Sequence, residues 1–233
     1  MNTVSYTRRR SQLEDYFDRT AAETWSRLTS DAPVSRIRAT VRAGRGTMRD
    51  TLLGWLPPEL HGIRVLDAGC GTGALATEAA LRGGDVLAVD IAASLLDTAR
   101  ERLPALPGGG RVEFIAGDML SPVHGRFDYA VAMDSLIHYQ LRDTLDALAT
   151  LAERVNRGIL FTFAPRTPLL AVMHAVGRCF PRGDRAPAIE PVAFEKLVRG
   201  IERHPGLRDW RIGRTRRVAC GFYTSQALEL TRA

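Results

Sequence analysis

Residues 63–73 read Ile63-Arg64-Val65-Leu66-Asp67-Ala68-Gly69-Cys70-Gly71-Thr72-Gly73, and the rest of the chain is organised around them. An apolar, partly β-branched run, Ile63, Val65 and Leu66, ends in Asp67 and breaks into glycines at alternate positions. From Leu75 to Arg82 the pattern is helical. The stretch therefore predicts a strand, a tight glycine turn and a helix. Glycines spaced this way admit positive φ and let a ligand approach main-chain atoms that a β-carbon would shield. A nucleotide-like ligand is the expected occupant.

Gly69, Gly71 and Ala74 also satisfy the loose dinucleotide fingerprint G-x-G-x-x-G/A, which alone decides little. Three acids favour S-adenosylmethionine instead. Asp67 lies just before the glycines, where it would repel a pyrophosphate but accept hydrogen bonds from a methionine ammonium. Asp90 closes the next apolar strand, Val86 to Val89, with Ile91 beside it, about where a ribose diol would lie. Asp118, in Gly117-Asp118-Met119, follows the strand from Val112 to Ile115 and is suited to an adenine amino group. Each acid alone reads equally well as a turn residue or helix cap. Together they line one edge of a sheet, and that edge suits a cationic, phosphate-free cofactor. Over residues 64–163 the pattern resembles the class I S-adenosylmethionine-dependent methyltransferases. The resemblance implies that Gly69, Gly71 and Gly73 cradle the cofactor, Asp90 takes the ribose, and Asp118 with Met119 holds the adenine.

A chain of 233 residues has room for one domain with a substantial core and a small appendage. Its 45% hydrophobic and 25% charged residues are ordinary for a globular protein. The three cysteines, Cys70, Cys179 and Cys220, are odd in number and scattered. They suggest no disulfide framework and no metal site, so a reducing cytoplasm is expected. Arg8, Arg9 and Arg10 are followed by no apolar run, unlike a signal peptide. Leu169 to Val176 falls far short of the roughly 20 residues that span a bilayer. The net charge of +6 comes from arginine, since Lys196 is the only lysine. Codon usage accounts for this blandly; an anionic partner, either small carboxylates or a lipid surface, is the functional alternative. Nucleic acid is not expected, because the basic residues are dispersed without an aromatic-rich motif.

Two helices should precede the first strand. Leu13, Tyr16, Phe17, Ala21, Trp25 and Leu28 share one face of the first, and Val34, Ile37, Val41, Met48, Leu52 and Leu56 one face of the second. Asp31 and Pro33 suit the start of the second. A minimal sheet needs neither helix, so residues 1–60 are expected to form a helical lid, with simple sheet packing as the alternative. From residue 61 to 164 strands and helices alternate in a Rossmann-like, parallel α/β core with helices on both faces. Its ligands bind at the carboxyl ends of the strands. Residues 165–190 read as a lid insertion. Residues 191–233 return to the sheet as a helix from Val192 to Glu202 and an antiparallel hairpin of strands near 209–215 and 219–225.

The fourth strand and its exit read Phe127-Asp128-Tyr129-Ala130-Val131-Ala132-Met133-Asp134-Ser135-Leu136-Ile137-His138-Tyr139. The strand should deliver Met133 to the cofactor and set Asp134, His138 and Tyr139 beside the transferred methyl. The four-residue spacing would let the Asp134 carboxylate orient the His138 imidazole. Several segments then resemble one family: Tyr16-Phe17-Asp18, Trp25-Ser26-Arg27-Leu28, the run from Val41 to Arg45, the glycine turn, the run from Met133 to Tyr139, Phe161 to Arg166, and Gly221-Phe222-Tyr223. They are similar to the magnesium-protoporphyrin IX O-methyltransferases of bacteriochlorophyll and chlorophyll synthesis. One departure is Thr29, where the chlorophyll-making branch carries a tyrosine, so that tyrosine's role is not carried over.

The resemblance implies esterification of one porphyrin propionate with a methyl from S-adenosylmethionine, with His138 holding the reacting carboxylate. A propionate titrates near a glutamate, at about 4 to 5, so no strong base is needed. Arg42, Arg45 or Arg166 would take the other propionate. The porphyrin-binding subunit of magnesium chelatase is the implied protein partner. Peripheral contact with the inner membrane would run through residues 169–180. The alternatives are methylation of a smaller phenol or quinone precursor, or a non-catalytic porphyrin-binding protein that stimulates the magnesium-inserting enzyme.

Overall fold

The computed structural model describes residues 4–20, 36–166 and 188–233. The alternation of apolar segments gives a sheet of seven strands: β1 Arg64–Ala68, β2 Asp85–Asp90, β3 Arg111–Ala116, β4 Phe127–Ala132, β5 Val155–Phe163, β6 Trp210–Cys220 and β7 Tyr223–Arg232. Their order is β3-β2-β1-β4-β5-β7-β6. The first five pair in parallel, and β7 runs antiparallel to both β5 and β6. The helices are α1 Val4–Asp15, continued by a π-helical turn Tyr16–Thr20, then α2 Arg36–Trp55, α3 Ala74–Leu81, α4 Ala93–Arg102, α5 Leu141–Ala152 and α6 Phe194–Arg203.

Strand periodicity sends alternate side chains to opposite faces, and each face builds its own core. Leu66 and Ala68 of β1 join Leu148 and Leu151 of α5 and Leu197 and Ile201 of α6. Val65, one position away, joins Met48, Leu52 and Leu53 of α2 and Ala76 and Ala79 of α3. The central strands β1 and β2 are buried along nearly their whole length because both faces are covered, whereas the edge strand β3 exposes Arg111 and Glu113. Helix α2 thus has two roles: its Met48-Leu52 stripe, continued by Leu56 just past its end, is core, whereas Val41, Arg42, Arg45 and Arg49 line the cavity at the sheet's carboxyl edge.

Two expectations change. The first helix begins at Val4, and Tyr6 is buried in the same core as the sheet; Asp31 and Pro33 fall outside the described residues. The hairpin is present but displaced. No break separates Thr215 from Ala219. Instead β6 runs on to Cys220 past an irregularity between Ile212 and Thr215, because an edge strand tolerates the exposed pair Arg216 and Arg217. The reversal comes at Gly221, whose φ of +55° turns the chain into β7. The apolar run at 169–176 and most of the 165–190 insertion lie outside the described residues. Among those described, no helix is long and apolar enough to cross a membrane.

Candidate active site

Strands β1, β2 and β4 all end on one edge, and the turns that leave them wall a cavity of about 670 Å³. Gly69 and Gly73 both have left-handed φ, 84° and 73°. A Cβ on Gly69 would collide with that of Ser135, and one on Gly73 would lie 2.8 Å from the Phe114 ring. The turn is therefore packed between β4's exit and β3, with no room for a side chain at Gly69 or Gly73. Asp90 ties it to the turn after β2: Gly71 N–H donates to Asp90 Oδ2 at 2.8 Å, and Ala92 N–H to Oδ1 at 2.9 Å.

Asp67 stands out electrostatically. It is 1% exposed, and its Oδ2 is buried without a hydrogen-bond partner. Burial, reinforced by the neighbouring Asp90, pushes its carboxyl up to about 7; burial also raises Asp90 and the Cys70 thiol between them in the chain. An unsatisfied carboxylate oxygen on a cavity wall is a seat for a cation. The methionine ammonium of S-adenosylmethionine meets that requirement, and a pyrophosphate does not.

The structure brings Asp67, Gly69, Gly71, Asp90, Ile91, Met119, Met133 and His138 to the wall of this cavity. Gly73 lies behind it, starting α3 against Phe114 and Ala99. Asp118 also lies behind the wall. Its Oδ1 accepts from the Tyr6 hydroxyl at 2.8 Å and from Leu120 N–H at 2.9 Å, and its Oδ2 from Arg10 at 2.9 Å. Tyr6 in turn stacks on Tyr139, ring centroids 4.8 Å apart. The third acid thus ties α1 to the turn that follows β3.

The expected pairing of Asp134 with His138 does not form. Asp134, at φ 54°, is the one non-glycine residue with positive φ among the described residues. Its carboxylate accepts from Arg45 at 2.6 Å, the Tyr223 hydroxyl at 3.1 Å, Ser225 at 3.2 Å and Thr162 at 3.2 Å. Its own N–H donates to Thr162 Oγ1 at 2.7 Å. One carboxylate thereby joins α2, β5 and β7 at the cavity wall and neutralises Arg45. His138 faces elsewhere: Nδ1 is 3.4 Å from the Ala188 carbonyl, and its ring meets Phe17 edge-on. Arg9 holds the loop through the His138 and Ala188 carbonyls. Burial drives the His138 imidazole down to about 4, so it is neutral at physiological pH. With hydrogen on Nδ1 shared with Ala188, Nε2 carries the lone pair.

Arg49 was not apparent from sequence. It lines the cavity, its Nε is buried without a hydrogen-bond partner, and its ion pair with Asp50 is long at 3.7 Å. The available signal was its spacing, four residues after Arg45 and seven after Arg42, which puts all three on one helical face.

A doubly covered parallel sheet with an antiparallel β7, a glycine turn on β1 and a cation seat beside it define a class I S-adenosylmethionine-dependent methyltransferase. The chain matches the methyltransferase domain family over residues 65–158 and the family described as magnesium-protoporphyrin IX methyltransferase C-terminus over 132–232. It is 48% identical to the magnesium-protoporphyrin O-methyltransferase of Rhodobacter capsulatus, with 96% of this chain and 97% of that one covered. To the Synechocystis enzyme of the same name it is 30% identical, covering 95% of each. A crystal structure of the Synechocystis magnesium protoporphyrin IX methyltransferase with bound SAH superposes with a TM-score of 0.83 at 28% identity, covering 96% of this chain and 99% of that one. The chain belongs to the magnesium-protoporphyrin O-methyltransferase family.

Proposed function

We propose that this enzyme transfers the methyl group of S-adenosylmethionine to one propionate carboxylate of magnesium protoporphyrin IX, giving the monomethyl ester. The observation that carries the cofactor half is the buried, unpartnered Oδ2 of Asp67 on the cavity wall. Asp67 would bind the ammonium and Arg49 the α-carboxylate of the amino acid moiety, with Asp90 at the ribose and Met119 and Met133 against the rest. Bound there, the cofactor supplies an electrophilic methyl group on sulfur.

The protein's task is then to present a carboxylate oxygen, keep it ionised and exclude water. Entering the cavity raises a carboxyl's pKa by desolvation. With its imidazole held near 4 by burial, His138 is too weak a base to deprotonate such a carboxyl, so the acceptor would arrive ionised and His138 would position it beside the methyl group. An arginine bound bidentately to the reacting oxygens would dampen their nucleophilicity, and Arg45 is already committed to Asp134. Arg42, on the wall supplied by α2, remains suited to an acceptor's second carboxylate. A porphyrin this apolar needs delivery, which favours the porphyrin-binding subunit of magnesium chelatase as partner.

Incubation with S-adenosylmethionine and magnesium protoporphyrin IX should yield the monomethyl ester by mass spectrometry. Porphyrin binding without turnover would leave the non-catalytic partner reading, and turnover of a small phenol instead would replace the acceptor.

A further inference from the structure

The apex of the β6–β7 hairpin is not used by any step above. Phe222 sits there at 54% exposure, yet it lines the cavity together with Arg42, Tyr223 and Ser225. A single exposed apolar ring is unremarkable on most surfaces, but this one is held by unusual constraints. Gly221 is left-handed at φ 55°, and a Cβ on it would meet Thr40 Oγ1 at 2.5 Å, so the turn is pressed against α2. Phe222 N–H reaches Thr40 Oγ1 at 3.5 Å, and that hydroxyl donates to the Ile37 carbonyl at 2.8 Å. On the other side Tyr223 is buried, with Gly44 against its ring and its hydroxyl on Asp134. The chain before and after Phe222 is therefore fixed to a helix and to the sheet edge, while the ring itself is left facing the cavity.

We propose that Phe222 is the platform on which the flat face of the acceptor macrocycle rests, a specificity-determining residue that rests on the porphyrin reading above. A rigid aromatic ring loses little entropy on contact and gives an extended π-system an offset-stacking surface. Arg42 shares this wall and suits a carboxylate at the macrocycle's edge. A small phenol has no extended face to rest on the hairpin, so the ring discriminates by size and planarity.

The test uses the full-length protein saturated with S-adenosylhomocysteine for binding, and with S-adenosylmethionine for turnover, in wild type, Phe222→Ala, Phe222→Leu and Phe222→Trp. Titration with magnesium protoporphyrin IX is followed by the shift of its Soret band. Wild type should bind with a shifted band and turn over. Phe222→Ala should raise Kd and KM roughly tenfold and lose the shift, with kcat at saturation and S-adenosylhomocysteine affinity within about twofold of wild type. Phe222→Trp should keep the shift, and Phe222→Leu should lose it although it restores apolar bulk. Wild-type KM in Phe222→Ala, or a wild-type spectrum in Phe222→Leu, would overturn the platform while leaving the porphyrin reading intact. Wild-type protein that neither binds nor methylates the porphyrin would overturn both.

Discussion

Acidification should weaken cofactor binding through Asp67. In the ligand-free protein burial and Asp90 hold its carboxyl near 7, against about 3.9 for an unperturbed aspartate. The native state therefore binds this proton more tightly than the unfolded chain does. Between about pH 4 and pH 7 ligand-free stability falls as pH rises, and above pH 7 the full cost of a buried, uncompensated anion applies. Three pKa units correspond to about 4 kcal/mol. An ammonium ligand needs the ionised carboxylate, so below pH 7 binding must expel the proton. If the bound carboxyl titrates back near 4, affinity falls about tenfold per unit, or about 100-fold between pH 8 and pH 5. Calorimetric titration with S-adenosylhomocysteine across that range should show this loss, with proton release near pH 6. Asp67→Asn should bind weakly and without the pH dependence, yet its ligand-free Tm at pH 8 should exceed that of wild type. A pH-independent wild-type Kd, or an Asn variant that binds as tightly as wild type at pH 8, would refute the ammonium seat.

Three further outcomes follow from the same geometry. His138→Ala should lower turnover by roughly 10²-fold with cofactor affinity preserved, and because burial keeps this imidazole near 4, wild-type kcat should show no inflection from it between pH 5.5 and 8; unchanged turnover in the variant would return His138 to a packing role. Arg49→Gln should weaken S-adenosylhomocysteine by about tenfold or more while leaving 5′-methylthioadenosine, which lacks the amino acid, unaffected, and equal losses for both ligands would contradict a carboxylate contact. Asp134→Ala leaves the half-buried Arg45 and three hydroxyls without their shared acceptor, so denaturant unfolding should show a loss of about 3 kcal/mol, with Asp134→Asn losing less because it keeps an acceptor oxygen; an unmoved midpoint in the alanine variant would mean the network adds nothing.

The legible parts of this molecule are those whose partners are close in sequence. Asp67 with its glycines, Asp90 after β2 and Met133 after β4 were readable because strand length and turn position place them at one edge whatever the rest of the chain does. Asp118 was readable as an acid at that edge, but its engagement by Tyr6 and Arg10 depends on a helix far away in the chain, and nothing local to Gly117-Asp118-Met119 encodes it. The same holds for Asp134: four-residue spacing suggested His138, whereas a left-handed backbone and donors from α2, β5 and β7 decided otherwise. The hairpin was displaced because Arg216 and Arg217 look like a polar break, and only pairing with β7 makes them strand. Arg49 was hidden among so many arginines that charge carried no contrast; helical phase was the cue left over.

The strand beside β5 is β7 rather than β6, so the sheet's sixth position is filled out of turn. During synthesis β5 consequently emerges with Ile159, Leu160 and Phe161 on a bare edge, and must wait for a hairpin made much later before its amides are matched. Pairing across so long a loop is slow, and an apolar edge left open meanwhile invites association with neighbouring nascent chains. Yield on overexpression should hinge on how quickly the hairpin docks, which makes growth temperature and the Gly221 turn the levers for obtaining this enzyme in quantity.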